Sequence, residues 1–259
     1  MALLLVDQNA TIVDSDFIIS PVMNGLMGHN ILGGTLAQSK KNGLRGAGDL
    51  SVVGSPTISS NYVSFTGTTA YMQSALMQQP QHTLICVARS SSTFADAAHQ
   101  PMFISTFSGQ NVDYPVYSTQ GLSMYVANSG FPAPKGKLTA ISGAYPTATP
   151  ANATAKTQQI DQVDFSSFRL FILDQSTTGI TINDITGATA NIEAPYTAGT
   201  ASARSTRPFA IGGPANPVSY TGVCDIAYWA IYNRTLTSTE KSSIITWLRA
   251  YYSSVGINI

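Results

Sequence analysis

The chain has 259 residues, 44% of them apolar and 10% charged, and its thirteen basic residues balance thirteen acidic ones. The apolar share can fill a core, while the balanced charge leaves no net field to draw in nucleic acid or an anionic membrane surface. With so few charges the solvent face must be built largely from Ser, Thr, Asn, Gln and Gly, which suits a β-rich extracellular or virion protein and weighs against a disordered or coiled-coil chain.

The opening MALLLVDQNA has no basic stretch before its apolar run and meets Asp7 at once, so it is not read as a secretory signal. No apolar stretch reaches the ~20 residues that span a bilayer. The expectation is a soluble protein made in a cytoplasm, without membrane insertion. Residues 1–50 are punctuated by Gly25, Gly28, Gly33, Gly34, Gly43, Gly46 and Gly48 around short apolar pieces such as Phe17-Ile18-Ile19, with no sustained period. This segment is expected as an N-terminal arm or docking segment, or as a first strand with long loops. Within it Lys40, Lys41 and Arg45 read as a solvated loop.

Residues 51–259 are expected to form one β-sandwich domain. Candidate strands are Leu50–Val53, Tyr62–Phe65, Thr83–Arg89, Met102–Thr106, Leu122–Val126, Lys137–Ile141, Phe168–Asp174, Thr181–Ile185, Phe209–Ile211 and Gly222–Tyr232. Each is rich in β-branched or aromatic residues, with turn formers between them, which points to a sandwich or barrel. The Ala/Thr/Pro-rich stretch from Tyr145 to Gln159 reads as an exposed loop. Its Asn152-Ala-Thr sequon carries little weight without a secretory signal. In GVCDIAYWAIY, Ile226, Tyr228, Ala230 and Tyr232 alternate with Ala227, Trp229 and Ile231. Both faces are apolar, as for a strand packed on both sides.

The one helix signal is C-terminal. Thr237-Ser-Thr-Glu240 is a capping box, and Ile244, Ile245, Leu248, Tyr251 and Tyr252 then mark one apolar face, with Trp247 at its border and Gly256 as the stop. Cys86 and Cys224 lie in apolar runs without metal-type spacing, and read as two buried thiols rather than a bridge.

Ile211-Gly212-Gly213, Gly222, Ile231-Tyr232-Asn233-Arg234, Leu236 and the Thr237–Glu240 cap keep their order and spacing over about forty residues. This stretch resembles the end of concanavalin A-like/laminin-G-like domains. VSFTGTTAYMQSALMQQPQHTLICVAR resembles an earlier strand pair of that family. Phe168–Asp174 with Ile180 to Gly187 looks like its later hairpin, so the resemblance spans roughly residues 60 to 255. It implies an all-β antiparallel jelly-roll sandwich with a short C-terminal helix behind a Gly-rich N-terminal segment. The family's last long strand often bears an acid near the position of Tyr228, and its absence weakens any transfer of an ion or sugar site. NGLRGAGDLSVVGSPTISSNYVSFTG resembles the lead-in to such sandwiches in bacteriophage tail and virion proteins.

A glycosidase needs two carboxylates flanking the scissile bond. These are usually glutamates a few residues apart on one strand, and the chain has only two glutamates, Glu193, alone in NIEAPY, and Glu240, better used as a cap. His29, His82 and His99 are well separated, accompany no nucleophile elbow, and read as surface or turn histidines, so no catalytic residue and no metal set is assigned. Calcium is a modest possibility through Asp113, Asn183 and Asp184, although Asx turns explain these residues more simply. For a glycan, exposed aromatics beside amides and carboxylates are wanted. Asn111, Asp113, Tyr114 and Tyr117 offer that mixture, with Asn191, Tyr196 and Tyr220 as weaker candidates; rim tyrosines serve subunit interfaces equally well.

The expectation is a non-enzymatic virion protein of a bacteriophage. Its lectin-like sandwich would bind a host-surface glycan or receptor as a tail, fibre or baseplate component. Its other partners would be virion proteins and copies of itself, a trimer being favoured. The alternative is a capsid or tail decoration protein without a small ligand; a carbohydrate-active enzyme is disfavoured by the carboxylate count.

Overall fold

The computed structural model describes residues 19–127, 130–189, 192–214 and 219–259. Its first strands are β1 (Leu26–Ile31), β2 (Ser51–Val53), β3 (Thr57–Ile58), β4 (Val63–Thr66), β5 (Tyr71–Met77) and β6 (His82–Arg89). The middle of the chain gives β7 (Met102–Ser105), β8 (Gly109–Gln110), β9 (Ser118–Thr119), β10 (Leu122–Ala127), β11 (Lys135–Pro146) and β12 (Thr154–Asp164). The last are β13 (Arg169–Gln175), β14 (Gly179–Asp184), β15 (Ile192–Pro195), β16 (Thr200–Ala203), β17 (Pro208–Ile211) and β18 (Val223–Tyr232). Helix α1 is the single turn Leu36–Ser39, and α2 is Ser238–Ser254.

The strands form an antiparallel jelly-roll sandwich. One sheet runs β15-β14-β13-β6-β18-β4-β3 with β1 also on β18, and the other runs β12-β11-β10-β7-β17-β5-β2 with β16 also on β11. All ten candidate strands are present. Between the sheets lies one apolar core, which includes Phe65, Met72, Leu84, Phe103, Met124, Phe171, Phe209 and Trp229. The predicted helix caps as expected: the Thr237 hydroxyl accepts from the Glu240 N–H at 3.3 Å, while Glu240 accepts from the Thr237 N–H at 2.9 Å. Gly256 takes φ +76° just past the helix end. Ile244, Leu248 and Tyr252 bury against Tyr228, Ala230 and Tyr232 on the outer face of the first sheet.

Strand β18 departs from simple alternation. A bulge between Ile226 and Tyr228 shifts the register, so Ile226 joins Trp229 and Ile231 in the inter-sheet core, while Ala227 and Tyr228 face the helix. The Ala227 carbonyl freed at the bulge accepts from Leu32 N–H and from Tyr252 Oη, both at 2.7 Å. The resemblance motif also acquires physical content here. Gly212 has φ +81°, and a Cβ there would collide with the Phe65 ring. Arg234 holds Glu240 with two hydrogen bonds of 2.9 and 2.6 Å and reaches the Asn24 carbonyl at 3.0 Å, tying strand end, helix cap and N-terminal turn together.

Other expectations need revision. From Ile19 on, the N-terminal segment is no separate arm but takes its alternative form, a first strand with long loops built into the sandwich: β1 pairs with β18, and Leu32 and Leu50 enter the main core. Residues 1–18 lie outside the described residues. The stretch from Tyr145 is not one loop, since β11 continues to Pro146 and β12 begins at Thr154. Only Ile160 and Val163 of β12 face inward at this sheet edge, so its apolar signal was faint. His29 and His82 are fully buried within β1 and β6 rather than on the surface, and only His99 is exposed, with its Nδ1 2.7 Å from Asp96 Oδ1. Cys86 and Cys224 are both buried and free.

Candidate functional site

Gly109-Gln110 and Ser118-Thr119 pair as a small hairpin apart from both main sheets. Four backbone contacts lock its base. Asn111 N–H donates to the Tyr117 carbonyl at 2.8 Å and Tyr117 N–H to the Tyr114 carbonyl at 2.9 Å. Val112 N–H donates to the Arg204 carbonyl at 2.8 Å and Thr206 N–H to the Gln110 carbonyl at 2.9 Å. The hairpin is thereby fastened along the segment that joins β16 to β17.

The predicted ligand residues divide by role. Asn111 is buried, and its side-chain carbonyl accepts from the Asp113 N–H at 3.0 Å, an Asx turn that shapes the hairpin. Its amide nitrogen is buried without a hydrogen-bond acceptor. Asp113 is ion-paired with Arg204, which approaches it through Nη2 and, at 3.4 Å, through Nε. Tyr114 stands edge-on to Tyr145, with ring centres 5.2 Å apart. Burial first, then the neighbouring Asp113 carboxylate, pushes the Tyr145 phenol above its ordinary range. Tyr117 is half-buried beside the fully solvated Val116. The fold thus gathers Asp113, Tyr114, Tyr145 and Arg204; the last two were absent from the sequence-based set because they lie far along the chain.

A shallow groove of about 610 Å³ opens at the foot of this hairpin, lined by Ser108, Gly109, Gln110, Thr206, Arg207 and Pro208. Next to Ser108 in the chain, Phe107 packs edge-on against Tyr220 at 5.1 Å, and Tyr220 against Tyr125 at 5.5 Å. Ser108 and Tyr220 both hold left-handed backbone, φ +37° and +68°. Side-chain-bearing residues avoid that region unless the surroundings force them, and such positions cluster at binding sites. Behind the groove lies a polar network. Gln78 accepts from Ser205 N–H at 2.9 Å and from Thr106 at 3.2 Å, and donates to Gln175 at 3.3 Å. Gln175 in turn donates to Ser142, Tyr196 and Ser202 at 2.8 to 3.1 Å. Tyr196 therefore braces the interior instead of presenting itself to solvent, and Tyr220 is half-buried against its aromatic neighbours. Asn191 lies outside the described residues.

The candidate calcium ligands do not converge. Asp184, in β14 of the other sheet, is buried under two hydrogen bonds from Arg169 at 3.0 and 2.6 Å and accepts from Gly187 N–H at 2.9 Å. Asn183 is buried beside it, whereas Asp113 belongs to the hairpin. A guanidinium already neutralises each carboxylate, and among the described residues no cluster of three His, Cys, Asp or Glu has metal-binding geometry. The two glutamates are also apart. Arg234 and the Thr237 N–H hold Glu240 down at about 2, and Glu193 sits exposed on β15.

No family model and no curated protein matches the sequence. Among solved structures, the fold is similar to the Trypanosoma rangeli sialidase in complex with sialic acid, at 14% identity and TM-score 0.55 over 88% of this chain and 35% of that one. It is also similar to the receptor-binding domain of botulinum neurotoxin D, at 8% identity and TM-score 0.55 over 86% of this chain and 52% of that one. A structure of botulinum neurotoxin type C, whose cell entry depends on two ganglioside molecules, matches at 8% identity and TM-score 0.53 over 86% and 51%. The chain spans about a third of the sialidase and about half of the toxin chains. At these identities the likeness shows a shared β-sandwich fold.

Proposed function

We propose that this chain is a non-enzymatic glycan-binding module, with the sugar seated in the groove at the β8–β9 hairpin. The observation that carries this reading is the groove itself: polar walls at Ser108, Gln110 and Thr206 at the foot of the hairpin whose Tyr114 packs on Tyr145. A saccharide has a hydroxyl rim and apolar ring faces, and a concave site with a few fixed polar groups next to aromatic surface meets both. Similar folds occur in proteins described with sialic acid or gangliosides, which supports this ligand class. The non-enzymatic half rests on Glu240 being committed to its cap and Arg234, with Glu193 alone on another strand.

The resemblance of residues 42–67 to phage tail and virion lead-ins favours a virion component that contacts the host surface. Weak single sites would then add through symmetric copies, with a trimer favoured. A glycan array probed with soluble protein tests the reading. Binding is expected, reduced tenfold or more by Tyr114→Ala, and an array without signal would overturn it. Reducing-end release from a bound polysaccharide, abolished by Glu193→Gln, would instead restore a catalytic reading.

One observation favours the second reading, a decoration protein of a capsid or tail. Val116 is 85% exposed at the hairpin tip, with Val112 nearby, and such solvated apolar residues suit an interface between virion subunits. If Val116→Asp abolishes incorporation into particles while glycan binding persists, cementing is the hairpin's role.

A further inference from the structure

The sequence holds two Asn-Gly pairs, Asn24-Gly25 and Asn42-Gly43. An asparagine cyclises most readily before glycine, because the glycine nitrogen carries no bulky neighbour that keeps it from the asparagine Cγ. The fold treats the two pairs oppositely. Asn42 is buried, and its Oδ1 accepts from Leu44 N–H at 3.1 Å and from His29 N–H at 3.3 Å. Gly43 N–H is itself engaged, donating to the His29 carbonyl at 2.7 Å. Both the carbon to be attacked and the attacking nitrogen are held apart in this way.

Asn24 is exposed in the turn that leads into β1, closed by Leu26 N–H on the Met23 carbonyl at 3.1 Å. Among the described residues, neither the Asn24 carboxamide nor the Gly25 N–H makes a hydrogen bond. The fold also depends on this glycine. Gly25 has φ +79°, and a Cβ there would stand 2.9 Å from Arg234 Cγ, Arg234 Nε and Asn233 Oδ1. Arg234 Nε donates to the Asn24 carbonyl at 3.0 Å and Asn233 N–H to the Gly25 carbonyl at 2.8 Å, so the turn clasps the start of β1 to the end of β18.

We propose that Asn24 is a site of spontaneous deamidation in the native protein, whereas the fold protects Asn42. The Gly25 nitrogen gives its proton to solvent hydroxide and attacks Asn24 Cγ. The N–Cγ bond forms, the Cγ–Nδ2 bond breaks, and ammonia leaves with a proton taken from water. Water then opens the cyclic imide at either carbonyl, leaving aspartate or isoaspartate with no change in oxidation state. Either product brings one negative charge beside Arg234 in a chain whose charges otherwise balance. Isoaspartate also inserts the side-chain methylene into the backbone at the clasp, which Asn24→Asp does not.

The test holds the full chain at pH 8 and 37 °C and maps timed samples by proteolysis and mass, with the same chain in guanidinium chloride as reference. Native Asn24 is expected to gain one mass unit at least tenfold faster than native Asn42, and denaturant should bring the two rates together. Asn24→Gln should remove both that mass gain and the acidic form that accumulates on anion exchange. Aged protein enriched in isoaspartate should melt below Asn24→Asp, which carries the same charge. A native ratio below tenfold would overturn the proposal, as would a native Asn24 that stays intact while the denatured chain reacts at both sites. Aged protein melting together with Asn24→Asp would overturn the part given to the clasp.

Discussion

The two ring nitrogens of His82 do opposite work. Nε2 accepts the Gln79 N–H at 2.6 Å, so it carries no proton, and Nδ1–H therefore donates to the Tyr232 carbonyl at 2.7 Å. Desolvation by burial is the largest influence on the ring and lowers its pKa to about 4. An unfolded histidine binds its proton at ~6.5, so the native state is favoured above that value, and the advantage is lost as pH falls from about 6.5 to 4. The lost stability amounts to roughly 3 kcal/mol, at ~1.4 kcal/mol per pH unit of displacement. Urea unfolding at pH 7.0, 5.5 and 4.5 measures it, and His82→Gln should flatten the profile in that window. Glu240 acts lower on the scale: held down at about 2, its contribution disappears only as pH falls from ordinary carboxylate values through 2. Tyr196 gives a second residue-scale expectation. Tyr196→Phe leaves Ser142 and Gln175 short of a partner inside the sandwich and should cost roughly 1–2 kcal/mol in the same assay.

At the scale of elements, β18 and α2 stabilise each other. β18 is flanked by β6 along one edge and by β4 and then β1 along the other, with the Ala227 bulge at the change of partner. Leu248→Ala should destabilise by roughly 3 kcal/mol, since Leu248 is wholly buried on the apolar face that covers the first sheet. Thr237→Ala should remove roughly 1 kcal/mol with the cap. Both variants should keep glycan binding, because the groove belongs to the opposite sheet and its hairpin. These elements were legible because both faces of β18 are apolar and the capping box is local in sequence. β12 was not, as its exposed side is Thr, Lys, Gln and Asp, and the pairing with β11 that orders it is a tertiary fact. β5 and β1 escaped notice for related reasons: β5 mixes Gln, Ser and Met, and β1 is cut into by Gly28 and His29, residues that spoil alternation yet are accommodated by neighbours. The site was partly legible. Asp113 and Tyr114 stand in one short stretch, but Tyr145, Arg204 and Arg207 reach the hairpin only through the meeting of β11, β16 and β17.

At the scale of the molecule, closure depends on two segments far apart in sequence meeting. Leu26 to Ile31 pair with Tyr228 to Tyr232, about two hundred residues away, and Ser20 Oγ lies 3.0 Å from Tyr232 Oη. Such separation places folding among the slower, millisecond-to-second sandwiches. A deletion through Leu32 should fail to give cooperative thermal unfolding, because it uncovers one edge of β18 and removes Leu32 from the core.

Cys86 and Cys224 face the inter-sheet core as thiols, with burial pushing both well above the usual thiol range. A protonated, solvent-excluded sulfur is a poor nucleophile toward oxidants and disulfides. The sandwich is thus indifferent to the redox potential around it: the same native state should form in a reducing cell interior and persist in oxidising surroundings, with no covalent link to gain or lose between them. Melting curves with and without dithiothreitol should superimpose, and Ellman's reagent should react with neither sulfur until the fold opens.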